Sequence, residues 1–269
     1  MGKDKLTKTN NMERNENVLQ KLTAEDIIAY MESLHDEEQR CNLMRFFKTG
    51  KGDYGEGDEF IGLKVPQTRE VVKLSADLPL DEIPTLLTCR YHEVRLCGLL
   101  LLVKRFERLS TKRLEYDESA IRSRDEIVTM YLKYADHANN WDLVDMSAPK
   151  ILGKWLMLPT HLPDKLAVMD SLAKSTSLWR KRISMVSTWF TSRKGDPSWC
   201  LRYAEMHLHH KHDLMHKATG WMLRELGKHI SMDMLRDFLK QHVHEMSRTT
   251  LRYAIEKMPI EERQYWMQK

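Results

Sequence analysis

The residues best placed to do chemistry lie in three short segments. The first is Asn139-Asn140-Trp141-Asp142-Leu143-Val144-Asp145. Either asparagine can cap a helix start, and within that helix positions 141, 145, 148 and 152 share one stripe. The stripe reads Trp, Asp, Ala, Leu, so a carboxylate interrupts an apolar face one turn after a tryptophan. Burying a carboxylate is costly unless it is paired or used. Asp145 is therefore either an acid that serves a reaction or an edge residue bonded to a nearby cation. Trp141 alone reads as a core anchor.

The second segment is Leu178-Trp179-Arg180-Lys181-Arg182-Ile183-Ser184-Met185-Val186. Trp179, Ile183, Val186 and Phe190 form the expected buried stripe, with Arg182 beside it and Arg180 and Lys181 turned outward. Three successive cations can spread over a phosphate backbone. Arg182, nearest the core, can make a bidentate bond to a phosphate or a carboxylate. Pairing with Asp145 for structure alone is an equal alternative. The third segment is His216-Lys217-Ala218-Thr219-Gly220-Trp221-Met222-Leu223-Arg224-Glu225. A glycine inside a strongly helical pattern costs about 1 kcal/mol against alanine and is kept where something approaches the backbone. Close helix packing at Gly220, with Trp221 in the core, is the simpler reading.

The elements that must hold these segments are helices. The chain has 269 residues, 42% hydrophobic and 30% charged, which suits one large domain or two small ones. Only 11 Gly and 8 Pro argue against a turn-rich sandwich or barrel. No stretch alternates at period two, so no sheet is expected. Thr23 can cap a helix to about Leu34, with Asp26 completing an acidic capping box. A second helix covers about Asp36 to Phe47, and Pro66 suits the first turn of the next. Further helices are expected near 81–88, 91–108, 122–136, 140–155, 163–175, 177–192, 197–208, 213–229, 231–241, 247–257 and 260–268. Asp145 to Arg182 is 37 residues, Arg182 to Trp221 is 39 and Trp141 to Trp179 is 38. Such steps match paired-helix repeats, in which residues one repeat apart line one face of a curved stack. The fold class expected is all-α, a curved solenoid of HEAT-like paired-helix repeats over residues 21–269, after a flexible polar tail over 1–20.

Charge is unevenly spread. Between Leu178 and Lys257 there are 15 Lys/Arg against 8 Asp/Glu, a net +7 on a chain whose total is +4. A basic C-terminal third fits a polyanion-binding face or, equally, a solvated helical surface. The four cysteines are scattered with no CxxC pair, so neither a disulfide framework nor a thiolate zinc site is expected. The first twenty residues have no apolar core of a secretory signal, and the longest apolar run, Leu96 to Val103, is far short of a membrane span. A cytoplasmic monomer with no membrane association is the expectation.

Taken together, these segments resemble the DNA alkylation repair family of AlkD-like HEAT-repeat glycosylases. The resemblance covers most of the chain beyond the tail. It rests on KGDYGEGDEFIGLKVPQTR (Lys51 to Arg69), NNWDLVD (Asn139 to Asp145), LWRKR (Leu178 to Arg182) and KATGWMLRE (Lys217 to Glu225), four motifs in order. It implies excision of cationic N3- and N7-alkylated purines from duplex DNA without base flipping, leaving an abasic site, and it implies no metal or other cofactor. The family's Trp-x-x-x-Asp pair falls on Trp141 and Asp145, its arginine on Arg182 and its second tryptophan on Trp221. Asp145 would then stabilise the oxocarbenium-like sugar or position water. The indoles of Trp141 and Trp221 would pack on the deoxyribose and attract its developing charge. Arg182 would hold the lesion's phosphate. An already cationic leaving group needs no acid, which suits one carboxylate rather than a pair. Lys64 and Arg69 flank a helix start that can bind phosphate, and Lys181, Lys217, Arg248 and Arg252 are further DNA-binding candidates. A non-catalytic DNA-binding relative and a protein-binding HEAT scaffold are the alternatives.

Two other signals carry less. His212 and His216 stand at zinc-compatible spacing inside the run Met206 to His216, but that run is expected to span a helix–turn–helix boundary without HExxH. The glycine-rich stretch Thr49 to Lys64 is no P-loop, because Lys51 is not followed by Ser or Thr.

Overall fold

A computed structural model describes residues 22–162 and 164–269. The tail expected over 1–20 lies outside them. The described residues form fourteen α-helices, short 3-10 turns and one π-turn joined by loops, and the pairing of Glu59 with Tyr91 is an isolated bridge rather than a sheet. No helix among these residues is long and apolar enough to cross a membrane.

The N-terminal helices start where their caps dictate. α1 (Ala24–Glu32) opens on Thr23, whose hydroxyl accepts from the Asp26 N–H while Asp26 accepts from the Thr23 N–H. α2 (Glu37–Phe46) is capped by Asp36, and α3 (Val65–Leu74) carries Pro66 in its first turn. α4 (Ile83–Leu87) follows, then α5 (His92–Leu109), whose first twelve residues are all buried. α6 (Glu118–Lys133) and α7 (Trp141–Ser147) come next. The chain then continues as α8 (Lys165–Lys174), α9 (Leu178–Arg193), α10 (Ser198–His207), α11 (Asp213–His229), α12 (Met232–His242), α13 (Arg248–Ala254) and α14 (Ile260–Met267). Expected and observed boundaries agree within a few residues, with one exception. The helix expected over 140–155 breaks after Ser147, because Pro149 has no N–H to donate. The chain passes through a π-turn at Pro149–Gly153, closed by the Gly153 N–H on the Ala148 carbonyl at 3.0 Å.

Two compact units emerge, one of residues up to Arg108 with Thr129–Leu143, the other of Leu109–Val128 with Val144–Lys269. In the first, α1 packs on α4, and the glycine-rich stretch folds inward to bury Asp58, Phe60, Ile61 and Leu63. Gly62 allows this: its φ is +102°, and a Cβ there would lie under 3.0 Å from the Asp36 carbonyl oxygen. The N–H groups of Ile61, Gly62 and Leu63 converge on the buried Glu93 carboxylate at 2.8–3.1 Å.

The second unit is built of paired helices in two layers. The π-turn, α9, α11 and α13 pack on one another in succession, while α8, α10 and α12 cover them. The burial pattern follows. α12 buries one narrow stripe, Leu235, Phe238 and Leu239, whereas α9 buries nine residues over most of its girth. Close approach is set by two glycines in the same role. A Cβ on Gly153 would fall under 3.0 Å from the Ser187 carbonyl oxygen and Phe190 Cβ, and one on Gly220 equally close to the Thr250 carbonyl oxygen and Tyr253 Cβ. The caps Ser177, His212 and Ser247 lie 35 residues apart, so the structural period is slightly shorter than the 37 to 39 expected from the tryptophans and charges.

Candidate functional site

The first unit presents Trp141 at the start of α7. Its N–H donates to the Asn140 side chain at 2.8 Å, so the expected asparagine cap closes on its immediate neighbour. The indole is half-buried, with Phe47 at 5.4 Å and Phe46 edge-on at 5.9 Å between centroids. Phe46 is 63% exposed, so this aromatic cluster reaches the surface. The stripe expected to bury Trp141 and Asp145 is displaced: the α7 side chains that sink fully are Asp142, Leu143, Val144 and Ser147. Trp141 and Asp145 flank that face, one turn apart.

The second unit holds Asp145 on α7 and Arg182 on α9. Arg182 Nε lies 2.9 Å from Asp145 Oδ1 and Nη2 lies 2.8 Å from Oδ2, a two-pronged bond. Its Nη1 donates to the Leu214 carbonyl at 2.6 Å, in the first turn of α11. Arg182 is only 4% exposed, so it sits inside the α9 stripe rather than beside it, and Trp179 and Phe190 stand half-buried at its edges. Of the two partners open to Arg182 in the sequence, the carboxylate is the one the geometry realises. Asp145 keeps about a sixth of its side chain exposed, at 17%.

Trp221 follows Gly220 on α11 and is half-buried. Gly220 itself serves the helix contact with α13, the simpler of its two readings. Arg182, Lys217 and Arg252 each occupy the fifth position of their inner helix, so they recur every 35 residues. Trp221 stands one turn further along α11 than the member of that series, Lys217. Lys217 pairs with Asp213 at 2.7 Å, Arg252 is exposed, and Arg248 is exposed and bonds the Met267 carbonyl. In the first unit Lys64 and Arg69 are exposed at the start of α3, where the Lys64 N–H is already taken by Gln67 at 2.8 Å.

Lys181 lies near a histidine-rich turn. The expected boundary is there: α10 ends at His207 and α11 begins at Asp213. His212 caps α11 through the Leu214 N–H, and His216 faces the His210 carbonyl, so the two are committed to the turn. Ser184 donates its hydroxyl hydrogen to the Lys181 carbonyl at 2.7 Å and therefore accepts from His207 Nε2 at 3.1 Å. Burial, reinforced by His210 and Lys181, pushes His207 down to about 4, so it is neutral at physiological pH.

Sequence reasoning missed a buried charged cluster in the first unit. His92 lies between Asp58 and Asp142, with Arg95 on the far side of Asp58. A signal was present: His92, Glu93 and Arg95 stand immediately before the longest apolar run of the chain, where charges must be buried and therefore paired.

A family model described as DNA alkylation repair enzyme matches residues 27–258. The chain is similar in structure to a predicted DNA alkylation repair enzyme from Enterococcus faecalis, with a TM-score of 0.64 and 16% identity over 84% of this chain and 97% of that one. At that identity the likeness shows the shared helical fold. No curated protein matches the sequence.

Proposed function

Since this chain belongs to the DNA alkylation repair enzyme family, we propose that within that DNA-repair role it is a monofunctional glycosylase for cationic N3- and N7-alkylated purines in duplex DNA. The observation that carries this reading is the Asp145 carboxylate, gripped through both oxygens by the buried Arg182 yet still partly open to solvent, one turn after a half-exposed tryptophan.

The chemistry asked of the site is modest. As the C1′–N bond breaks, its electron pair moves onto the purine nitrogen and cancels the positive charge of the alkylated ring. Charge builds instead on the deoxyribose, and water attacks C1′ and loses a proton to give the abasic site. A fixed carboxylate stabilises that sugar cation and can take the proton. The two-pronged Arg182 bond removes the rotational freedom of Asp145, so its oxygens need no reorganisation as charge develops. In this reading Arg182 acts as a positioning residue through Asp145. Trp141 and Trp221 would offer indole faces to the sugar. Lys64, Arg69, Lys181, Lys217, Arg248 and Arg252 would meet backbone phosphates, leaving the base stacked and selectivity to lesion lability.

The test is release of free 7-methylguanine from methylated duplex under single-turnover conditions, wild type against Asp145→Asn. The expected loss in the variant is on the order of 10²-fold with duplex affinity retained. Wild type that binds duplex and releases nothing would make the protein a DNA-binding relative. Equal release by both would keep the glycosylase and remove Asp145 from its centre.

A further inference from the structure

The glycine-rich stretch and the start of α5 play no part in that chemistry, yet they enclose a built, charged site. His92 is 2% exposed. Its Nδ1 lies 2.9 Å from Asp58 Oδ2 and its Nε2 lies 2.9 Å from Asp142 Oδ2. Carboxylate oxygens accept and do not donate, so both ring nitrogens must carry hydrogen to satisfy both bonds. Arg95 bonds the other Asp58 oxygen and, at 2.8 Å each, the Cys89 and Arg90 carbonyls. Two carboxylates thus face two cations, as burial of four charged groups requires.

The imidazole is held in its plane as well as at its ends. Phe60 stacks on it at 4.6 Å and Phe47 lies over it at 4.9 Å. Phe47 in turn packs against the Trp141 indole. Asp142 directly follows Trp141 in the chain. The ring therefore reaches Trp141 by two routes, through the Asp142 side chain and through Phe47.

Resting on the glycosylase reading, we propose that His92 is a positioning residue: clasped by Asp58 and Asp142 and packed against Phe60 and Phe47, which also stack on each other, it fixes where the Trp141 indole stands and thereby the rate of excision. The charged groups that face the ring are Asp58 from the glycine-rich stretch and Asp142 from α7, with Arg95 on its own helix acting through Asp58. Just past the end of α2 the Phe47 ring meets it. Burial alone would lower the His92 pKa, but the two carboxylates outweigh it and hold the ring up at about 9. The clasp therefore survives neutral pH. When the proton leaves, one nitrogen presents a lone pair to a carboxylate, that bond opens, and Trp141 is released from its seat.

The experiment follows the full-length chain from about pH 7 to about pH 10, where the linked proton is lost. Two readouts are taken: single-turnover 7-methylguanine release, corrected for release without protein, and Trp141 emission, obtained as wild type minus Trp141→Phe. Far-UV circular dichroism at each pH reports folding. The wild type should show both signals changing near pH 9 while its helix content holds. His92→Gln, neutral throughout, should excise about tenfold to a hundredfold more slowly at neutral pH, bind duplex normally and lack the transition. Wild-type emission that does not respond near pH 9, or a folded His92→Gln with wild-type rate and profile, overturns the proposal. If His92→Gln does not fold, the wild-type emission titration alone decides. If the wild type releases no base, the glycosylase reading fails, and the emission titration still tests whether His92 seats Trp141.

Discussion

Replacing Gly220 by alanine sets two effects of opposite sign against each other. In the interior of a helix such as α11, alanine is favoured over glycine by about 1 kcal/mol. The space at Gly220 forbids that gain. A Cβ there meets the Thr250 carbonyl oxygen and Tyr253 Cβ at under 3.0 Å, and both are fixed by the backbone of α13. Helix α13 must back away from α11 along its length, and overpacking of this kind costs about 1–3 kcal/mol. We expect a net destabilisation of about 1–2 kcal/mol, or a melting temperature lower by about 3–6 °C in a chain of this size. Gly227 on the same helix is the control. Its Cβ would come under 3.0 Å only to Leu235 Cδ2, the far end of a side chain that can turn aside, while the backbone-fixed Leu235 Cβ stays at 3.2 Å, so Gly227→Ala should stay within about 1 kcal/mol of wild type. Urea denaturation followed by circular dichroism measures both. A Gly220→Ala protein at least as stable as wild type, or two variants equally destabilised, would refute the claim that backbone contact at Gly220 sets the helix spacing.

The His92 clasp predicts a stability that depends on pH. Its folded pKa is raised, so the contribution is complete below about 6.5 and disappears as pH climbs through about 9. Roughly 3 kcal/mol should be lost over that window at 1.36 kcal/mol per unit, and a flat urea midpoint from neutral pH to above 9 would contradict it. Glu93→Gln can keep an oxygen on Gly62 and Leu63 but sets its amide N–H against the Ile61 N–H and loses the charge that all three N–H groups share, so it should cost about 2–3 kcal/mol with early loss of amide protection at 61–63; unchanged exchange there would sink the idea. Arg252→Gln should weaken duplex binding alike for methylated and unmodified DNA and reduce the slope of log affinity against log salt by about 0.9; an unaltered slope would take Arg252 out of the interface.

Helix starts were legible because caps are local. Thr23 with Asp26, Asp36, Ser177, Ser231 and Ser247 each bond a backbone N–H within three residues. Repetition was legible too, but its period was read from Trp141, Trp179, Arg182 and Trp221. These do not share a register, as Trp221 stands a turn further along its helix than Arg182, so the true step of 35 was blurred. The Asp145–Arg182 contact stood among the sequence alternatives, since two opposite charges on neighbouring apolar faces have few other partners. What could not be read was burial set by distant chain. Asp142 is the deeper carboxylate of its helix only because His92, fifty residues earlier, comes to meet it. Nothing local to Asp142 distinguishes it from a surface acid.

The π-turn at Pro149–Gly153 sets the phase between Asp145 and Gly153. Asp145 and Gly153 both press on the same helix, Asp145 through Arg182 and Gly153 against Ser187. In an unbroken α-helix, eight residues advance the direction by about 800°, which leaves the two about 80° out of alignment. A π-turn absorbs one residue without a matching step of rotation, so the advance is about 700° and the misalignment shrinks to about 20°. The surplus residue thus works like the extra day in a leap year, bringing two cycles back into step. Loss of one residue between 150 and 152 would leave seven residues of plain α-helix, about 700°, and keep the carboxylate and the glycine on a common partner, whereas gain of one residue there would turn them apart.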